Sequence, residues 1–321
     1  MNRRLILASL GLWLGLAGSA QAQDYPSRPI RLITDSGPGS AVDATNRIIA
    51  DGLSRVLGQQ VLVINQPGAG GAIAARAAAA AAPDGYTLAI SSLSTFVAAP
   101  GSAPNLPIQM PKDFVSVAYL GGAPMFITAA PRLGVKTLPE LVALAKQKPG
   151  ELAYGTNGPG RLTHLTGELL QSRAGIKLLM IPYSGGTAQV LNDLMGGRIP
   201  LAIDAYSGLT AAIENGTVLP LAVAALKRVA KFPGLPTVAE TLSGFEAGGW
   251  QVLIAPVGTP DAIVQKVNRD AIKALSDPET RGRLASLGRD ERPLSPAQTL
   301  AFIQAEQQKW APIVKQIAAA K

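Results

Sequence analysis

The stretch at residues 177–204 constrains the fold of this chain more than any other. An apolar run ends at Pro182 and is followed by a Ser-Gly-Gly loop. An amphipathic helix then begins at Thr187, and a second apolar run ends on Asp204. This is the pattern of a strand–loop–helix–strand unit. Since the loop of such a unit presents free backbone N–H groups and a helix N-terminus at the carboxyl edge of a sheet, it is suited to binding an anion.

Short apolar runs alternate with helical patterns along the rest of the chain. Further strands are predicted at 29–34, 61–65, 86–91, 115–120, 125–129, 152–156, 219–225 and 251–255. Helices are predicted at 41–57, 72–82, 138–147, 163–173, 262–275 and 296–319, the last with Trp310 packed onto the body. This order predicts an α/β fold with largely parallel sheets, and the length favours two lobes over one.

Residues 1–22 have the pattern of a cleaved secretory signal peptide. Arg3 and Arg4 precede an apolar run over 5–17, and small residues follow at Ala20 and Ala22. A transmembrane anchor is the alternative, but the apolar run is shorter than the roughly 20 residues that a span needs. We therefore expect export with cleavage after Ala22.

The charge balance argues for an anionic ligand. Removal of Arg3 and Arg4 lowers the formal net charge from +8 to +6, so the mature chain stays basic. The Lys and Arg residues are scattered, with no basic run interleaved with aromatic residues, which speaks against nucleic acid as a partner. An anionic ligand or an acidic partner surface is a better use of this charge.

The residues that catalysis needs are scarce. His164 is the only histidine and there is no cysteine, so a Cys/His pair is excluded and a histidine-rich metal site is not expected. No G-x-S-x-G elbow presents a serine to His164. Asp204 with Asp43 or Asp193 would form a pair of carboxylates, but each has a plainer role in capping or loop hydrogen bonding. We expect neither an enzyme nor a cofactor.

Four loops that follow predicted strands carry the candidate binding groups, at 35–40, 65–71, 91–95 and 155–161. The glycines of the first loop allow the backbone to close on an anion, although an ordinary βα turn would look the same. The second fails as a dinucleotide fingerprint because Ile73 stands where the last glycine is needed. The hydroxyls of the third can donate to a carboxylate, or belong to a plain turn. Arg161 in the fourth can pair with a carboxylate in a bidentate manner, or be a solvated helix-start arginine.

Seven short motifs occur in order between residue 25 and the C-terminal third. They are Y-P-S-R-P-I at 25–30, N-Q-P-G-A-G-G at 65–71, P-D-G-Y-T-L at 83–88, K-D-F at 112–114, P-Y-S-G-G at 182–186, L-M-G-G at 194–197 and P-T-V-A-E at 236–240. Together they resemble the pattern of the Bug family, the periplasmic solute receptors of tripartite tricarboxylate transporters.

The resemblance implies a periplasmic-binding-protein-like fold with two α/β lobes and a ligand cleft between them. Lobe one would hold residues 23–124 and 225–321 and lobe two residues 125–224, with the chain crossing near 121–127 and 222–226. The receptor would be a monomer that captures a small organic carboxylate, a di- or tricarboxylate or an aromatic one, and delivers it to membrane permease subunits. A ligand-sensing receptor that signals to a sensor partner is the alternative.

The family's pincer loops and cleft-lining residues are carried over by motif. The resulting set is Ser36, Gly39, Ser40, Ser91, Ser92, Asn157, Gly160, Arg161, His164, Tyr183, Gly185, Gly186, Thr187 and Asp204. The first loop departs from the usual P-G-G-x-[TS]-D, since it begins with Asp35 and has Ser40 in place of a glycine and Val42 in place of a hydroxyl residue. Arg161 stands where a small serine or threonine is common, which would add a cation for a second carboxylate.

Overall fold

The computed structural model describes residues 25–98, 108–183, 187–229, 231–289 and 292–319. Its strands are β1 (Ile30–Thr34), β2 (Val61–Asn65), β3 (Thr87–Ser92), β4 (Phe114–Ala129), β5 (Ala153–Thr156), β6 (Leu179–Pro182), β7 (Leu201–Ala205), β8 (Leu219–Val223) and β9 (Gly248–Pro256). Its helices are α1 (Ala41–Leu57), α2 (Ala72–Ala79), α3 (Leu138–Gln147), α4 (Leu162–Ala174), α5 (Thr187–Met195), α6 (Tyr206–Glu214), α7 (Asp261–Ser276), α8 (Pro278–Ser286) and α9 (Pro296–Ala319). Short helical turns lie at Ala69–Gly71, Ser94–Ala98, Pro131–Leu133 and Val238–Glu240.

The α/β class predicted from the sequence is confirmed, but the expectation of largely parallel sheets is wrong. The strand order is β2-β1-β3-β9-β4-β7-β5-β6, with β8 also paired to β4. β1 pairs in parallel with β2 and β3, and β5 with β6 and β7. The pairs β3–β9, β4–β9, β4–β7 and β4–β8 are antiparallel. An apolar run reveals a strand, whereas its direction depends on how the chain returns to the sheet.

Strand β4 joins the two halves of the sheet. The sequence predicts separate strands at 115–120 and 125–129, but the structure has one strand of 16 residues. Up to Pro124 it pairs with β9, and from Met125 it pairs with β7 and β8. Two lobes follow: lobe one is built on β2, β1, β3, β9 and the first part of β4, and lobe two on the rest. The sequence boundaries of the lobes remain a prediction.

Aliphatic packing holds each lobe together. In lobe one, Leu32, Ile90 and Leu253 of the sheet share a buried cluster with Leu53 of α1 and Val267 of α7. In lobe two, α5 and the sheet share a buried cluster that includes Val190, Leu194 and Ala202. Each half of the sheet therefore has aliphatic packing of its own, and a larger buried cluster, which includes Ile33 and Leu201, extends across both halves.

Helices α2 and α9 both cover lobe one, but α2 packs through small side chains and α9 through a large aromatic one. α2 buries small side chains, Ala72, Ala74, Ala75 and Ala78, and ends at Ala79 rather than at the predicted residue 82. α9 buries Trp310 completely, as predicted. The carboxylate Oε2 of Glu306 accepts hydrogen bonds from Nε1 of Trp310 at 3.1 Å and of Trp250 at 2.8 Å, so α9 is tied to β9.

Two helices were missed by the sequence reading. α6 begins directly after β7, with no turn residue between Ala205 and Tyr206, and α8 begins two residues after α7 ends. α6 lacks the loop signals that mark the other helices, whereas α8 does have start signals, with Asp277 as its N-cap and Pro278 as its first residue. No helix in the described residues is both long and apolar enough to cross a membrane. The predicted signal peptide at 1–22 lies outside those residues.

Candidate functional site

The predicted polar loops meet at one edge of each half of the sheet. β1 and β3 end at this edge in lobe one, and antiparallel β9 begins there. β5 and β7 end at the corresponding edge in lobe two. Because parallel strands end at the same edge, side chains far apart in sequence are collected there.

In lobe one, hydrogen bonds from the ends of two strands fix the first loop. The buried hydroxyl of Ser36 lies 3.0 Å from that of Thr34. Asn65, at the end of β2, donates from Nδ2 to the backbone oxygen of Ser36 at 3.0 Å and to Oδ1 of Asp43 at 2.8 Å. The end of one strand therefore fixes the loop that follows its neighbour.

Asp43 is the anchor of this loop. Its Oδ2 accepts from the N–H of Gly39 and from Nε of Arg47, both at 2.9 Å. Hydrogen bonding from Asn65, then from Gly39 and Arg47, lowers the pKa of Asp43 to about 2. Ser40 is the N-cap of α1 and accepts from the N–H of Asp43 at 3.1 Å. Gly39 and Ser40, both predicted ligand residues, thus serve the loop itself, and their contact with a ligand stays a prediction.

A second polar group of lobe one surrounds Asp35. The Ser92 hydroxyl lies 3.4 Å from Oδ2 of Asp35. Gly71 packs so closely that a Cβ there would lie 2.7 Å from Oδ2 of Asp35 and 2.2 Å from Oγ1 of Thr95, and its φ is +99°. Only glycine fits this position. Burial raises the pKa of Asp35, while the Ser92 hydroxyl and the charge of Arg161 lower it.

Beneath both groups lies a buried polar layer that the sequence reading missed. Gln251 donates from Nε2 to Oδ1 of Asn46 at 2.7 Å, and Asn46 donates from Nδ2 to the Ser36 hydroxyl at 3.2 Å. Oε1 of Gln251 and the predicted Ser91 hydroxyl are buried with no hydrogen-bond partner in the described residues. The available signal was a glutamine at the start of the apolar run 251–255.

In lobe two, the structure brings three predicted residues together at Asp204. Its Oδ2 accepts from the Thr187 hydroxyl at 2.6 Å and from Nδ2 of Asn157 at 3.3 Å. Its Oδ1 accepts from the N–H of Ala205 at 2.8 Å. Burial raises the pKa of Asp204, and these neutral donors offset that only in part. Within the residues that the structure describes, neutral donors therefore hold this carboxylate in place.

His164 and Tyr183 point into lobe two. Nδ1 of His164 accepts from the N–H of Gly160 at 3.1 Å, and Nε2 lies 3.6 Å from Oε1 of Glu168. This contact with His164 lowers the pKa of Glu168. The Tyr183 hydroxyl donates to Oδ2 of Asp193 at 2.8 Å. Both side chains brace loops, and their predicted ligand role is untested. Gly185 and Gly186 lie outside the described residues.

The start of α4 brings the two lobes into contact. The Leu162 side chain lies 3.4 Å from where a Cβ of Gly249 in lobe one would stand. The preceding residue, Arg161, is exposed at the N-cap of α4, and its charge acts on Asp35 across the lobes. The two polar edges therefore face one another near Arg161. Within the described residues, no group of three or more acidic, histidine or cysteine side chains is arranged to bind a metal.

Comparison with known proteins gives consistent matches over nearly the whole chain. A family model described as a tripartite tricarboxylate transporter family receptor matches residues 45–319. Protein BugT of Bordetella pertussis is 36% identical over 324 residues, which cover 99% of each chain.

Solved structures agree in fold. The periplasmic binding protein BugD has a TM-score of 0.75 and 32% identity, over 91% of this chain and 98% of BugD. Rpa4515 of R. palustris, solved with adipate, has a TM-score of 0.79 and 31% identity, over 92% of this chain and 99% of Rpa4515. The predicted periplasmic-binding-protein-like architecture is confirmed.

Proposed function

Because this chain belongs to the tripartite tricarboxylate transporter receptor family, which includes the Bug proteins that its motifs resemble, we propose that it captures a small organic carboxylate in the periplasm. The captured ligand would be held between the lobes and delivered to the permease subunits of a tripartite tricarboxylate transporter. The adipate bound to Rpa4515 supports a dicarboxylate as a starting ligand.

The observation that carries this proposal is the pair of polar edges that face one another. In lobe one, hydrogen bonds around Asp43 set the shape of the first loop before any ligand arrives. In lobe two, Thr187 and Asn157 are set by Asp204. Loops fixed in advance cost less entropy when a ligand binds, so they favour capture of a small molecule.

Arg161 is the residue we assign to a second carboxylate. It is exposed at the N-cap of α4, beside the contact between Leu162 and Gly249. A guanidinium binds a carboxylate through two parallel hydrogen bonds, which adds directional specificity to charge. A dicarboxylate would then span from the loops to Arg161.

Closure would bend the sheet where β4 changes partners. The N–H of Met125 donates to the oxygen of Ala247 at 3.0 Å, and the N–H of Ala224 donates to the oxygen of Met125 at 2.7 Å. These three backbone segments lie side by side between the lobes, within or near the predicted crossings. Hinge closure around a ligand is one of the common ways in which two lobes respond to binding.

Thermal unfolding of the mature chain, residues 23–321, against a panel of aliphatic, aromatic and amino acid carboxylates tests the proposal. A ligand at 100 times its dissociation constant adds about 2.7 kcal/mol to the free energy of unfolding, which shifts the midpoint by several degrees. A selective shift is expected. Cooperative unfolding with no shift for any carboxylate would contradict the proposal.

A matched pair of arginine variants tests the role of Arg161. Arg161→Ala should weaken the binding of dicarboxylates more than that of monocarboxylates. Arg269→Ala removes the same charge from the exposed side of α7 and should change neither. Unchanged dicarboxylate affinity in Arg161→Ala would show that the assignment is wrong. Ligand binding without uptake in a transport assay would favour the sensing alternative.

A further inference from the structure

The turn that follows α8 is a fixed part of lobe one. Leu284 anchors α8 in the buried cluster of that lobe, where it is 3% exposed. At the end of the helix, the N–H of Gly288 donates to the oxygen of Ala285 at 2.9 Å, and the N–H of Arg289 donates to the oxygen of Leu284 at 3.3 Å. Gly288 has a φ of +72°, the left-handed conformation in which glycine ends many helices. The backbone of the turn is therefore tied to α8 and moves with it.

Arg289 in this turn holds the strand that links the lobes. Its Nη2 donates to the oxygen of Gly121 at 2.7 Å and lies 3.4 Å from the oxygen of Leu120. The pairing of β4 with β9 shifts register between Tyr119 and Gly122, just before β4 passes into lobe two. Such a shift interrupts the ladder of backbone hydrogen bonds, and here an arginine side chain supplies donors to the carbonyl groups of the irregular segment. The shape of the linking strand therefore depends on a side chain from the C-terminal third of the chain.

The neighbouring residue, Gly288, touches lobe two. A Cβ at Gly288 would lie 3.2 Å from Cδ1 and 3.4 Å from Cβ of Tyr206, the first residue of α6. The Tyr206 ring is 1% exposed and packs on the Phe126 ring, with 5.6 Å between the ring centroids. Its hydroxyl donates to Oε1 of Glu214 at 2.7 Å. Because lobe two holds the ring on these sides, a push from Gly288 is expected to move the start of α6 rather than the ring alone.

We propose that Gly288 and Arg289 are positioning residues for ligand capture, which set the angle of lobe two about the β4 hinge without touching the ligand. One residue fixes the hinge strand and the next meets lobe two, so both are held against the same turn. Tyr206 lies two residues after Asp204, which holds the lobe-two edge of the cleft. A shift of Tyr206 would therefore move that edge. The inference rests on the proposed capture of a ligand between the lobes.

A pair of glycine variants isolates the contact with Tyr206. Gly288→Ala places a Cβ against the ring, and the φ of +72° at this position adds backbone strain. Gly216→Ala imposes the same strain, because φ there is +73°, but nothing lies within 4 Å of the added Cβ. The difference between the two variants therefore reports the contact with the ring.

The distance between the lobes can be measured in the absence of a ligand. The chain has no cysteine, so Lys146→Cys on α3 and Lys273→Cys on α7, both at exposed positions, allow one spin label to be attached to each lobe. We expect Gly288→Ala to shift the mean distance between the labels by about 2 Å or more. Gly216→Ala should leave that distance unchanged. Equal distances in the two variants would overturn the role of Gly288.

Titration with adipate, the molecule bound to Rpa4515, measures the effect on capture. Both edges of the cleft must contact one ligand, so a changed angle should weaken adipate binding about tenfold or more in Gly288→Ala. Gly216→Ala should keep the affinity of the unaltered chain, and equal affinities in the two variants would count against the inference. If neither adipate nor any other carboxylate binds the unaltered chain, the proposed function is contradicted, whereas the label distances still decide the role of the turn.

Two substitutions of Arg289 give an independent test should Gly288→Ala fail to fold. Arg289→Met removes the donors to the oxygen of Gly121, whereas Arg289→Lys keeps a charged donor on a long side chain. We expect the mean label distance to shift in Arg289→Met and to return to that of the unaltered chain in Arg289→Lys. A lower unfolding midpoint in Arg289→Met with an unchanged label distance would show that Arg289 stabilises the fold without positioning the lobes.

Discussion

The two lobes each place a buried aspartate at the cleft edge, and the two carboxylates are held in opposite ways. Asp43 of lobe one is 2% exposed and Asp204 of lobe two is 7% exposed, so solvent exposure alone does not distinguish them, although burial acts more strongly on the pKa of Asp204. Their partners distinguish them. Asp43 has the Arg47 guanidinium as well as Asn65 and Gly39, and its pKa falls to about 2. In the described part of the chain Asp204 accepts only from neutral donors, and burial raises its pKa.

The difference separates a structural acid from a functional candidate. A carboxylate that is ion-paired and hydrogen-bonded stabilises the folded chain and has little capacity left for a ligand. A buried carboxylate with a raised pKa is more typical of a functional site. Burial destabilises its ionised form, and such a residue is usually kept because it contributes to function. Asp43 lies in the first turn of α1 and Asp204 near the end of β7, and neither position by itself tells a structural acid from a functional one.

The largest effect is expected from removing the structural acid. Asp43→Ala deletes the acceptor of Gly39, Arg47 and Asn65, and hydrogen bonds to a charged group contribute about 1.5–3 kcal/mol each without being additive. We expect the free energy of unfolding in denaturant to fall by about 3 kcal/mol. Asp51→Ala is the control. An equal loss in its free energy of unfolding would show that Asp43 is not a special structural acid.

Gly71→Ala tests whether the Asp35 group of lobe one is as rigid as the loop around Asp43. The added Cβ would meet the Thr95 hydroxyl and the Asp35 carboxylate, and φ at this position is +99°. We expect a loss of about 2–3 kcal/mol in the free energy of unfolding. Gly37→Ala has open space around it and should change stability little. Comparable losses in the two variants would show that the close packing at Gly71 is not needed.

Asp204→Asn should affect ligand binding more than stability, the opposite of Asp43→Ala. It replaces a buried carboxylate with a neutral group of the same shape, so we expect the free energy of unfolding to change by no more than about 1 kcal/mol. The ligand-dependent shift in unfolding temperature should nevertheless be reduced. A stability loss as large as that of Asp43→Ala, with ligand binding preserved, would make Asp204 a structural acid too.

The pH dependence of stability should have opposite signs at the two acids. The ordinary pKa of an aspartate is about 3.9. Asp43, with a folded pKa of about 2, stabilises the chain above the ordinary value, and this stabilisation disappears as the pH falls toward 2. Asp204, with a raised folded pKa, favours the folded state below the ordinary value, and that contribution is lost as the pH rises through its folded pKa.

Free energies of unfolding measured from pH 2 to 7 on the unaltered chain and on both Asn variants would show these signs. The gap between the unaltered chain and Asp43→Asn should narrow as the pH falls. The stability of the unaltered chain relative to Asp204→Asn should decrease as the pH rises. Parallel curves for either variant would contradict the assigned direction of its pKa.

Local signals in the sequence were enough to locate most of the elements. The helices predicted at 41–57 and 138–147 have those bounds, and each begins after a capping residue, Ser40 or Thr137, whose side-chain oxygen accepts from the backbone N–H three residues later. Seven ordered motifs identified the family. The continuity of β4 was missed, because Gly121, Gly122 and Pro124 look like a turn, whereas they lie within a strand with shifted register.

The sequence by itself determined the α/β class, the elements that follow from capping and periodicity, the family, and the loops that carry polar groups at strand ends. Only the tertiary structure decided which polar groups are used up and which remain free. Gln251 and Asn46 are 205 residues apart, and Asn157 and Asp204 are 47 apart. Whether a buried side chain is structural or available depends on such distant partners, and a partner brought close by folding leaves no mark on the sequence next to either residue.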